Sequence, residues 1–480
     1  MTGTDLVEVR AGVYHDSVSL MRLSRALGDR PGVEVAMVAM ATALNVGLAR
    51  DAGFAVPQAG PSDLLVAVRA DTASALREAA AELDRQFAAL AMAGRSAATA
   101  AERAPRTTRA ATRTFEATLA LVSVPGEHAF AEALDAVEAG LSVMIFSDNV
   151  PVEQEVLLKE RAGERGVLVM GPDCGTAVVG GAGLGFANVL RPGPVGLVAA
   201  SGTGAQQITC LLDHAGTGVS HVLGVGGRDL SAQVGGRSTL AALDALDADP
   251  ATELIVLVGK PPAPEVAARV RAAVAGLATP VVTAMLGDGP GDLTTAAERA
   301  LAALGRPVPD WPSWPNPDRP NRDRPDAEDR PDTDRPDTDR PGAVGLCGLY
   351  AGGTLCEEAR LVAGTDTFTD FGADEYTLGR AHPMIDPTVR LAALRQASGV
   401  VLLDVVLGHA AEPDPAAALV PAVEEVRARG TAVVVALVGT AADPQDLHRQ
   451  AEALRSAGAS VFLSNAAAAR HAARLTGSDS

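Results

Sequence analysis

Residues 195–206 read VGLVAASGTGAQ, and two segments of the same build flank them, VLVMGPDCGT at 167–176 and VLGVGGRDL at 222–230. Each is an apolar run of strand length that ends in glycine-rich sequence, followed by residues that favour a helix. In α/β folds such turns lie at the carboxyl ends of strands, where unpaired N–H groups of the next helix attract anions. Three of these turns so close together predict a crevice for a phosphorylated or carboxylated ligand.

The composition favours parallel sheets. Hydrophobic residues make up 47% of the 480 residues but aromatic residues only 3%, so the cores are built from Ala, Val and Leu. This usage is typical of parallel sheets covered on both faces by helices. A chain of this length predicts roughly two to four domains. The net charge of −19 argues against a nucleic-acid or anionic-membrane partner.

Cysteine usage and hydropathy bear on the location of the protein. Cys174, Cys210, Cys347 and Cys356 show no CxxC spacing, and the first residues show no secretory signal pattern. No apolar run reaches membrane-spanning length. We therefore expect reduced thiols in a soluble, cytoplasmic protein. Since no histidine pair has metal-ligand spacing, we expect no protein-bound metal.

A proline-rich segment, 307–342, divides the chain. It repeats Asp-Arg-Pro and holds both tryptophans, and proline at this density cannot sustain a helix or a sheet. We interpret it as a semi-extended linker. The predicted α/β units on either side are 1–112, 113–192, 193–306 and 343–480. Strands that alternate with helices of ordinary length predict parallel, doubly wound sheets for these units.

The first glycine turn offers polar atoms beside flexible backbone. Gly171 and Gly175 let the chain turn and approach a ligand, while Asp173 and Cys174 supply polar atoms. The alternative is a plain strand-to-loop turn in which Cys174 is a small buried side chain.

In the second turn, Ser201, Gly202, Thr203 and Gly204 predict a phosphate cradle. Ser201 can equally serve only as the cap of the following helix, so both interpretations stay open.

The third turn adds a cation. Gly226 and Gly227 precede Arg228, whose guanidinium suits a carboxylate or a phosphate, and Asp229 could hold that guanidinium in place. Glycine followed by arginine is a more specific signal than glycine alone.

The C-terminal half contributes two further candidates. Gly352 and Gly353, within GLCGLYAGGT at 345–354, form a fourth anion-site candidate. His382, flanked by Arg380 and Asp386, is the best general acid–base candidate in the chain. The alternative is that His382 only hydrogen-bonds a loop.

Several of these strings resemble a known family. VPGEHAFAEALDAVEAGLSVMIFSD, VMGPDCGT, VGLVAASGTGAQ and VLGVGGRDL resemble, in this order, the α subunit of succinyl-CoA synthetase. YHDSVSLM, FSDNV, CGLYAGGTL, GRAHPMIDP and LLDVVLG extend the resemblance over nearly the whole chain to the acyl-CoA-synthetase-like FdrA family. The resemblance implies a Rossmann-like CoA-binding domain at 113–192. Two flavodoxin-like ligase domains would follow at 193–306 and 343–480, the second similar to the C-terminal domain of the synthetase β subunit.

The resemblance also implies site residues. Ser123, Pro125, Asp148 and Asn149 fall where the synthetase family contacts CoA. Residues 171–176 and 201–204 match the loops around its reaction centre.

This sequence departs from the family pattern at three points. The loop GDGPG at 287–291 has no counterpart of the histidine that carries phosphate in the synthetase, and Lys260 replaces an acidic residue expected after LIVLVG. No stretch resembles an ATP-grasp domain. We therefore expect that this chain alone does not make a CoA thioester from ATP.

Three functions follow as alternatives. The first is an acyl-CoA-synthetase-like subunit that handles acyl-phosphate and CoA ligands with an ATP-binding partner. The second, implied by FdrA relatives of ureide degradation, is a subunit of an oxamate carbamoyltransferase, in which Arg228 and Arg380 would hold carbamoyl phosphate and oxamate. That reaction needs no phosphohistidine. The third is a non-catalytic scaffold or ligand sensor. The expected ligands are CoA or carbamoyl phosphate with a small acyl or carboxylate substrate, and the expected partners are other subunits of a hetero-oligomer.

Overall fold

A computed structural model shows how the strands and helices of the chain are arranged. It describes residues 4–13, 15–95, 105–114, 116–287, 291–316, 345–365, 367–377 and 380–477. The chain divides into unit 1, residues 1–172 with 377–381, and unit 2, residues 173–376 with 382–480.

Unit 1 contains six strands and six helices among its described residues. The strands are β1 (Thr4–Arg10), β2 (Val33–Met40), β3 (Leu64–Ala70), β4 (Leu119–Val122), β5 (Ser142–Ile145) and β6 (Val169–Met170). The helices are α1 (Ser17–Gly28), α2 (Ala43–Asp51), α3 (Ala73–Arg95), α4 (Thr108–Ala111), α5 (Gly126–Glu138) and α6 (Val152–Arg165).

The first sheet of unit 1 differs from the expected parallel arrangement. Its strand order is β1-β3-β2, and β3 runs antiparallel to both neighbours. The strand is buried along its length, because α1 and α3 cover one face with Leu23, Leu27 and Leu83 while Phe54 packs on the other. Alternation of strands with helices therefore predicted the elements here but not their direction.

The second sheet of unit 1 is parallel, in the order β4-β5-β6. Its helices bury Ala129, Ala133 and Leu158 against the strands. Strand β4 is at one edge, and its Leu121 is 52% exposed.

Unit 2 contains the remaining elements, except that Thr377, the last residue of the helix at Asp374–Thr377, belongs to unit 1. Its strands are β7 (Thr176–Val179), β8 (Ala182–Gly185), β9 (Pro192–Ala199), β10 (Val219–Gly224), β11 (Leu254–Gly259), β12 (Val281–Met285), β13 (Ser313–Trp314), β14 (Leu346–Tyr350), β15 (Phe368–Asp370), β16 (Val400–Val406), β17 (Ala432–Val438) and β18 (Ser460–Phe462). Its helices are α7 (Gly202–His214), α8 (Arg237–Asp247), α9 (Pro264–Gly276), α10 (Leu293–Ala303), α11 (Gly353–Ala363), α12 (Asp374–Thr377), α13 (Thr388–Gln396), α14 (Pro415–Ala428), α15 (Leu447–Ser456) and α16 (Asn465–Leu475).

Two six-stranded sheets organise unit 2, as the mixed α/β prediction requires. The first has the order β12-β11-β9-β10-β7-β8 and the second β13-β18-β17-β16-β14-β15. The interior pairings are parallel, whereas β7, β8 and β13 pair antiparallel at edges. The central strands β11, β16 and β17 are buried at every position, which explains why Val, Leu and Ile dominate them.

The strand pairings place two domain boundaries differently from the prediction: the end of the Rossmann-like segment and the start of the linker. Residues 176–185 belong to the first sheet of unit 2 through β7 and β8 rather than to the predicted Rossmann-like segment. The predicted linker also begins too early, since β13 pairs with β18. Asn316 is 4% exposed and donates from Nδ2 to the Gly458 carbonyl at 2.8 Å. The Asp-Arg-Pro repeats themselves lie outside the described residues.

Buried hydrogen bonds join the two sheets within unit 2. Asn188 Nδ2 donates to Asp443 Oδ2 at 2.8 Å, and Gln207 Nε2 donates to the Leu463 carbonyl at 3.1 Å. Because buried polar groups are costly unless paired, these contacts fix one relative placement of the two sheets. None of the helices in the described part of the chain has the length and apolarity needed to cross a membrane.

Candidate functional site

The loops after β4 and β5 meet in unit 1. Ser147 Oγ donates to the Val124 carbonyl at 2.5 Å, and a Cβ on Gly126 would collide with the Asp148 backbone. Since only glycine permits this approach, the sequence brings together four of the residues expected to contact CoA. These four residues are Ser123, Pro125, Asp148 and Asn149.

A cleft of about 1040 Å³ runs along the edge strand β4 in unit 1. Ser123 and Pro125 line it, together with His128 of the first turn of α5. Helix α5 has no side-chain cap, so its first N–H groups face this region with their positive end. The Nε2 atom of His128 is buried with no hydrogen-bond partner. The cleft is large enough for a cofactor-sized ligand.

The turn GPDCGT does not open a helix. Gly171 has φ +93° and Asp173 has φ +57°, and the chain then enters strand β7 instead of the expected helix. Cys174 is 2% exposed, which agrees with the interpretation of a small buried side chain. Gly175 lies in the same turn, and a Cβ there would meet Phe186 at 3.8 Å. This turn therefore provides no helix N-terminus for an anion.

The second turn does open a helix. Ser201 caps α7 by accepting a hydrogen bond from the Gly204 N–H at 3.0 Å. Its hydroxyl also donates to Thr354 Oγ1 in the first turn of α11, at 2.5 Å. A Cβ on Gly352 would lie 2.7 Å from Thr203. The N-termini of α7 and α11 therefore touch, and Gly202 lies in the first turn beside them.

A carboxylate neutralises the N-terminal end of α11. Asp404, fully buried in β16, accepts hydrogen bonds from Ala351 N at 2.7 Å and Gly352 N at 2.8 Å. Arg390 Nη1 donates to Asp404 Oδ1 at 2.6 Å. Burial raises the pKa of Asp404, while the Arg390 guanidinium opposes that increase. The predicted anion cradle at Gly352 and Gly353 is therefore partly filled by the protein's own carboxylate.

Asp370 and Lys260 lie where the two sheets of unit 2 approach each other. Asp370 Oδ1 accepts from Gly372 N at 2.9 Å, and a Cβ on Gly353 would lie 2.5 Å from Asp370 Oδ2. Burial and the charge of Asp404 raise the pKa of Asp370 to about 6, although Lys260 lowers it. Lys260 follows β11 and is exposed. A solvent-accessible cation thus stands near a carboxyl group at the start of α11.

His382 lies in the same region with a restrained ring. Met384 N donates to His382 Nδ1 at 3.2 Å, and the ring lies 5.6 Å from that of Phe186. Burial, with a smaller contribution from Arg390, lowers the pKa of His382 to about 4. The predicted role of general acid–base near neutral pH is not supported by these surroundings, because the imidazole stays neutral there.

The two arginines predicted to bind ligand, Arg228 and Arg380, lie in different units. Arg228 is exposed after β10, while Gly226 and Gly227 form the turn before it. Asp229 is fully buried and accepts hydrogen bonds from Ser238 N at 3.1 Å and Thr239 N at 2.9 Å. Asp229 therefore binds the N-terminal turn of α8, a role that the sequence analysis did not assign to it.

Arg380 belongs to unit 1, where it is exposed and its N–H donates to the Thr377 carbonyl at 3.0 Å.

Sequence reasoning missed Asp370, Asp404 and Glu358. Asp404 interrupts the apolar run VVLLDVVLG, and a charge in a buried parallel strand is a usable signal. Glu358 is 1% exposed and accepts from Leu293 N at 2.6 Å and Asn465 Nδ2 at 2.7 Å. Burial raises the pKa of Glu358 to about 7. In the sequence, Glu358 looks like any helical surface residue.

Among the described residues, no cluster of three or more histidine, cysteine or acidic side chains has an arrangement that could hold a metal ion.

Comparison with known proteins shows a relative that matches almost the whole chain. YahF of Escherichia coli K12, an uncharacterised protein, is 35% identical over 496 aligned positions, which cover 94% of this chain and 95% of YahF. The chain belongs to the YahF family. The resemblance to FdrA-type, acyl-CoA-synthetase-like proteins that the sequence predicted is confirmed. Two family models match within the chain: "AllF, heavy metal-associated domain" at residues 1–105 and "CoA-ligase" at residues 349–475.

Acyl-CoA ligases match part of this YahF relative. Succinate–CoA ligase subunit alpha 2 of Archaeoglobus fulgidus is 32% identical over 31% of this chain and 52% of its own length. Malate–CoA ligase subunit alpha of Methylorubrum extorquens is 26% identical over 32% of this chain and 53% of its own length. The chain thus aligns with about half of these subunits. It is acyl-CoA-ligase-like.

Two solved structures also align with it. The dinucleotide-forming acetyl-CoA synthetase 1 of Candidatus Korarchaeum cryptofilum is 16% identical over 79% of this chain and 87% of that chain, with a TM-score of 0.30. ATP citrate lyase of Methanothrix soehngenii is 18% identical over 43% of this chain and 38% of that chain, with a TM-score of 0.32.

Proposed function

We propose that this chain is an acyl-CoA-ligase-like subunit that binds an acyl phosphate at the N-terminus of α7 and transfers the acyl group without a phosphohistidine. The proposal rests on one observation: the N-termini of α7 and α11 touch through Ser201 and Thr354, and the exposed Lys260 is close enough to Asp370, at the start of α11, to act on its charge. Helix N-terminal N–H groups and an ammonium group together favour a phosphate.

The neutral cap of α7 supports this choice of helix. Ser201 caps α7 with a hydroxyl, whereas Asp404 binds the start of α11 and Asp229 binds that of α8. A bound carboxylate already offsets the helix dipole at α8 and α11. Of these three helices, α7 therefore keeps the strongest attraction for an external anion.

A CoA-type cofactor is proposed for the cleft in unit 1. Ser123 and Pro125 line this cleft of about 1040 Å³, and the uncapped start of α5 adjoins it. An ATP-binding partner subunit would then supply the acyl phosphate. The acyl substrate is proposed to be a small carboxylate.

Carbamoyl transfer from carbamoyl phosphate to oxamate is the second candidate. It is favoured by Lys260, which stands where the synthetase family has an acidic residue, and by the absence of histidine from GDGPG at 287–291. A cation stabilises a departing phosphate without accepting it covalently. In this case too, the partners would be other subunits of a hetero-oligomer.

Calorimetry on the full chain tests the shared proposal. The probes are inorganic phosphate, acetyl phosphate and carbamoyl phosphate. We expect Lys260→Met to weaken acyl phosphate binding about 10-fold or more, because it removes a charge-assisted hydrogen bond. Lys260→Arg should keep most of the affinity, and Arg271→Met, an exposed cation of α9, serves as the matched control. Wild-type protein that binds none of the three probes would refute the proposal.

Because the chain has few lysines, NMR spectroscopy can test directly whether Lys260 responds to an acyl phosphate. Lys159 and Lys260 are its two lysines, and Lys159 is 4% exposed in an ion pair with Glu155 at 2.7 Å. After reductive ¹³C-methylation, the Lys260 signal should shift when acetyl phosphate or carbamoyl phosphate is added. Products separate the two candidates, because a CoA thioester supports the ligase and N-carbamoyl oxamate supports the carbamoyltransferase.

A further inference from the structure

The hydrogen bond to one nitrogen of His382 sets the position of the proton on the other. Met384 N donates to His382 Nδ1 at 3.2 Å, so Nδ1 is an acceptor and the neutral ring carries its hydrogen on Nε2. The Ile385 and Asp386 N–H groups bind the His382 carbonyl at 2.7 and 3.0 Å and hold its backbone. The ring is thus a fixed hydrogen-bond donor.

Nε2 of His382 faces the same glycine as the carboxyl of Asp370. A Cβ on Gly372 would lie 2.9 Å from His382 Nε2 and 3.1 Å from Asp370 Oδ1. The same Cβ would lie 2.4 Å from the Ala351 carbonyl oxygen, so no side chain fits there, and the His382 ring and the Asp370 carboxyl both lie directly against Gly372. The other carboxyl oxygen, Oδ2, lies against Gly353 in the first turn of α11.

We propose that these two side chains have separate roles: Asp370 transfers the proton of the reaction, and neutral His382 donates from Nε2–H to the oxygen that becomes negatively charged. This inference rests on the proposed acyl phosphate function. It assigns proton transfer to a residue that sequence patterns did not single out, and it gives His382 an electrostatic role instead of an acid–base role.

The proposed step balances with one co-reactant, the nucleophile H–X, which is a thiol in the ligase candidate and an amide in the carbamoyltransferase candidate. A nucleophile H–X attacks the acyl carbon, the C–X bond forms, and the C–O bond to phosphate breaks with its electron pair leaving on the phosphate oxygen. Asp370 takes the proton from X and returns it to the departing phosphate. His382 keeps its own proton throughout and stabilises the acyl oxygen in the tetrahedral intermediate.

The groups around Asp370 make it suited to exchange a proton near neutral pH. Burial and, to a smaller extent, Asp404 of β16 raise the pKa of Asp370 to about 6, whereas the hydrogen bond from Gly372 N and Lys260 after β11 lower it. Cys356 of α11 is also close, but burial raises the pKa of its thiol to about 12, so it stays uncharged. For His382, burial and Arg390 of α13 lower the pKa to about 4, which keeps the ring neutral.

NMR of the full chain labelled with ¹⁵N-histidine tests the role of His382. The chain has eight histidines, and His382→Gln assigns the relevant signals. We expect His382 to remain the neutral Nε2–H tautomer from pH 5 to pH 8. A ring that becomes doubly protonated with a midpoint above pH 5, or that carries its hydrogen on Nδ1, would overturn the proposed role. This readout does not depend on activity.

Turnover of acetyl phosphate and carbamoyl phosphate, with hydroxylamine as the nucleophile, tests the role of Asp370. Asp370→Asn should lower kcat about 10²- to 10⁴-fold and remove the inflection near pH 6. His382→Phe should lower kcat about 10²- to 10³-fold without moving that inflection, and His382→Gln, which keeps a donor, should restore part of the rate. Asp244→Asn, at an exposed position of α8, is the matched control.

The outcomes separate this inference from the proposed function. If wild-type protein turns over an acyl phosphate and Asp370→Asn keeps its rate and pH profile, the inference alone fails. If the wild-type chain neither binds nor turns over any acyl phosphate, the proposed function fails, and the step built on it is overturned as well.

Discussion

Glu358 allows a quantitative prediction of how the stability of unit 2 depends on pH. Its carboxyl is 1% exposed and accepts hydrogen bonds from Leu293 N and Asn465 Nδ2. Burial, together with the charge of Asp292, raises its pKa from 4.5 to about 7 against the effect of these bonds. The folded state therefore holds this proton more tightly than the unfolded state.

The sign and the size of the Glu358 contribution to the free energy of unfolding follow from proton linkage. Because unfolding releases the proton, the contribution of Glu358 is fully present below pH 4.5 and is lost as the pH rises through about 7. The difference between the two pKa values corresponds to about 3 kcal/mol in total, of which about 2 kcal/mol falls between pH 5.5 and pH 8. Glu358→Gln abolishes this contribution, because an amide does not titrate.

Urea unfolding of wild type and Glu358→Gln across this range measures the effect. Fluorescence of Trp311 and Trp314, the two tryptophans of the chain, reports on unit 2 specifically. We expect the free energy of unfolding of wild type to fall relative to the variant by about 2 kcal/mol from pH 5.5 to pH 8. Glu253→Gln, at an exposed position, controls for the loss of one acidic side chain. If the free energy of unfolding changes with pH in the same way for wild type and for Glu358→Gln, the reasoning is refuted.

Three further substitutions test the packing of unit 2 by urea unfolding. Gly353→Ala should cost about 1–3 kcal/mol, because its Cβ would lie 2.5 Å from Asp370 Oδ2; an unchanged stability would contradict the close approach. Arg390→Met should cost about 3–5 kcal/mol, since it leaves the charge of the fully buried Asp404 without its cation. Adding Asp404→Leu should recover much of that loss. Asn316→Ala should cost about 1–3 kcal/mol, because it leaves the buried Gly458 carbonyl without its hydrogen bond from Asn316. If residue 316 belonged to an unstructured linker, the substitution would not change the stability.

Local patterns predicted the parallel sheets of unit 2 well, because a strand buried on both faces must be apolar throughout. LIVLVG and AVVVALV became the fully buried strands β11 and β17. The patterns did not predict strand direction in the first sheet of unit 1. There β3 is an ordinary apolar run, and its antiparallel pairing is decided by long-range packing that a local pattern does not contain.

The candidate site was predictable only in part, for a related reason. Glycine next to a strand reports that the backbone needs room, as at Gly126 and Gly353. It does not report which side chain will occupy that room. Asp370 and Asp404 come from other strands, and their positions depend on how β14, β15 and β16 align in the sheet.

The same glycine pattern therefore has different electrostatic consequences in different turns. At α8 and α11 the backbone N–H groups at the start of the helix bind Asp229 and Asp404, so the protein itself supplies the anion. At α7 the cap is the hydroxyl of Ser201, which satisfies a donor without adding negative charge. Since a helix dipole attracts an external anion only where no internal one offsets it, the chemistry of the cap distinguishes a binding turn from a structural one. If that distinction holds, Ser201→Asp should abolish acyl phosphate binding while α7 stays capped and folded, which calorimetry and circular dichroism on the same sample would reveal.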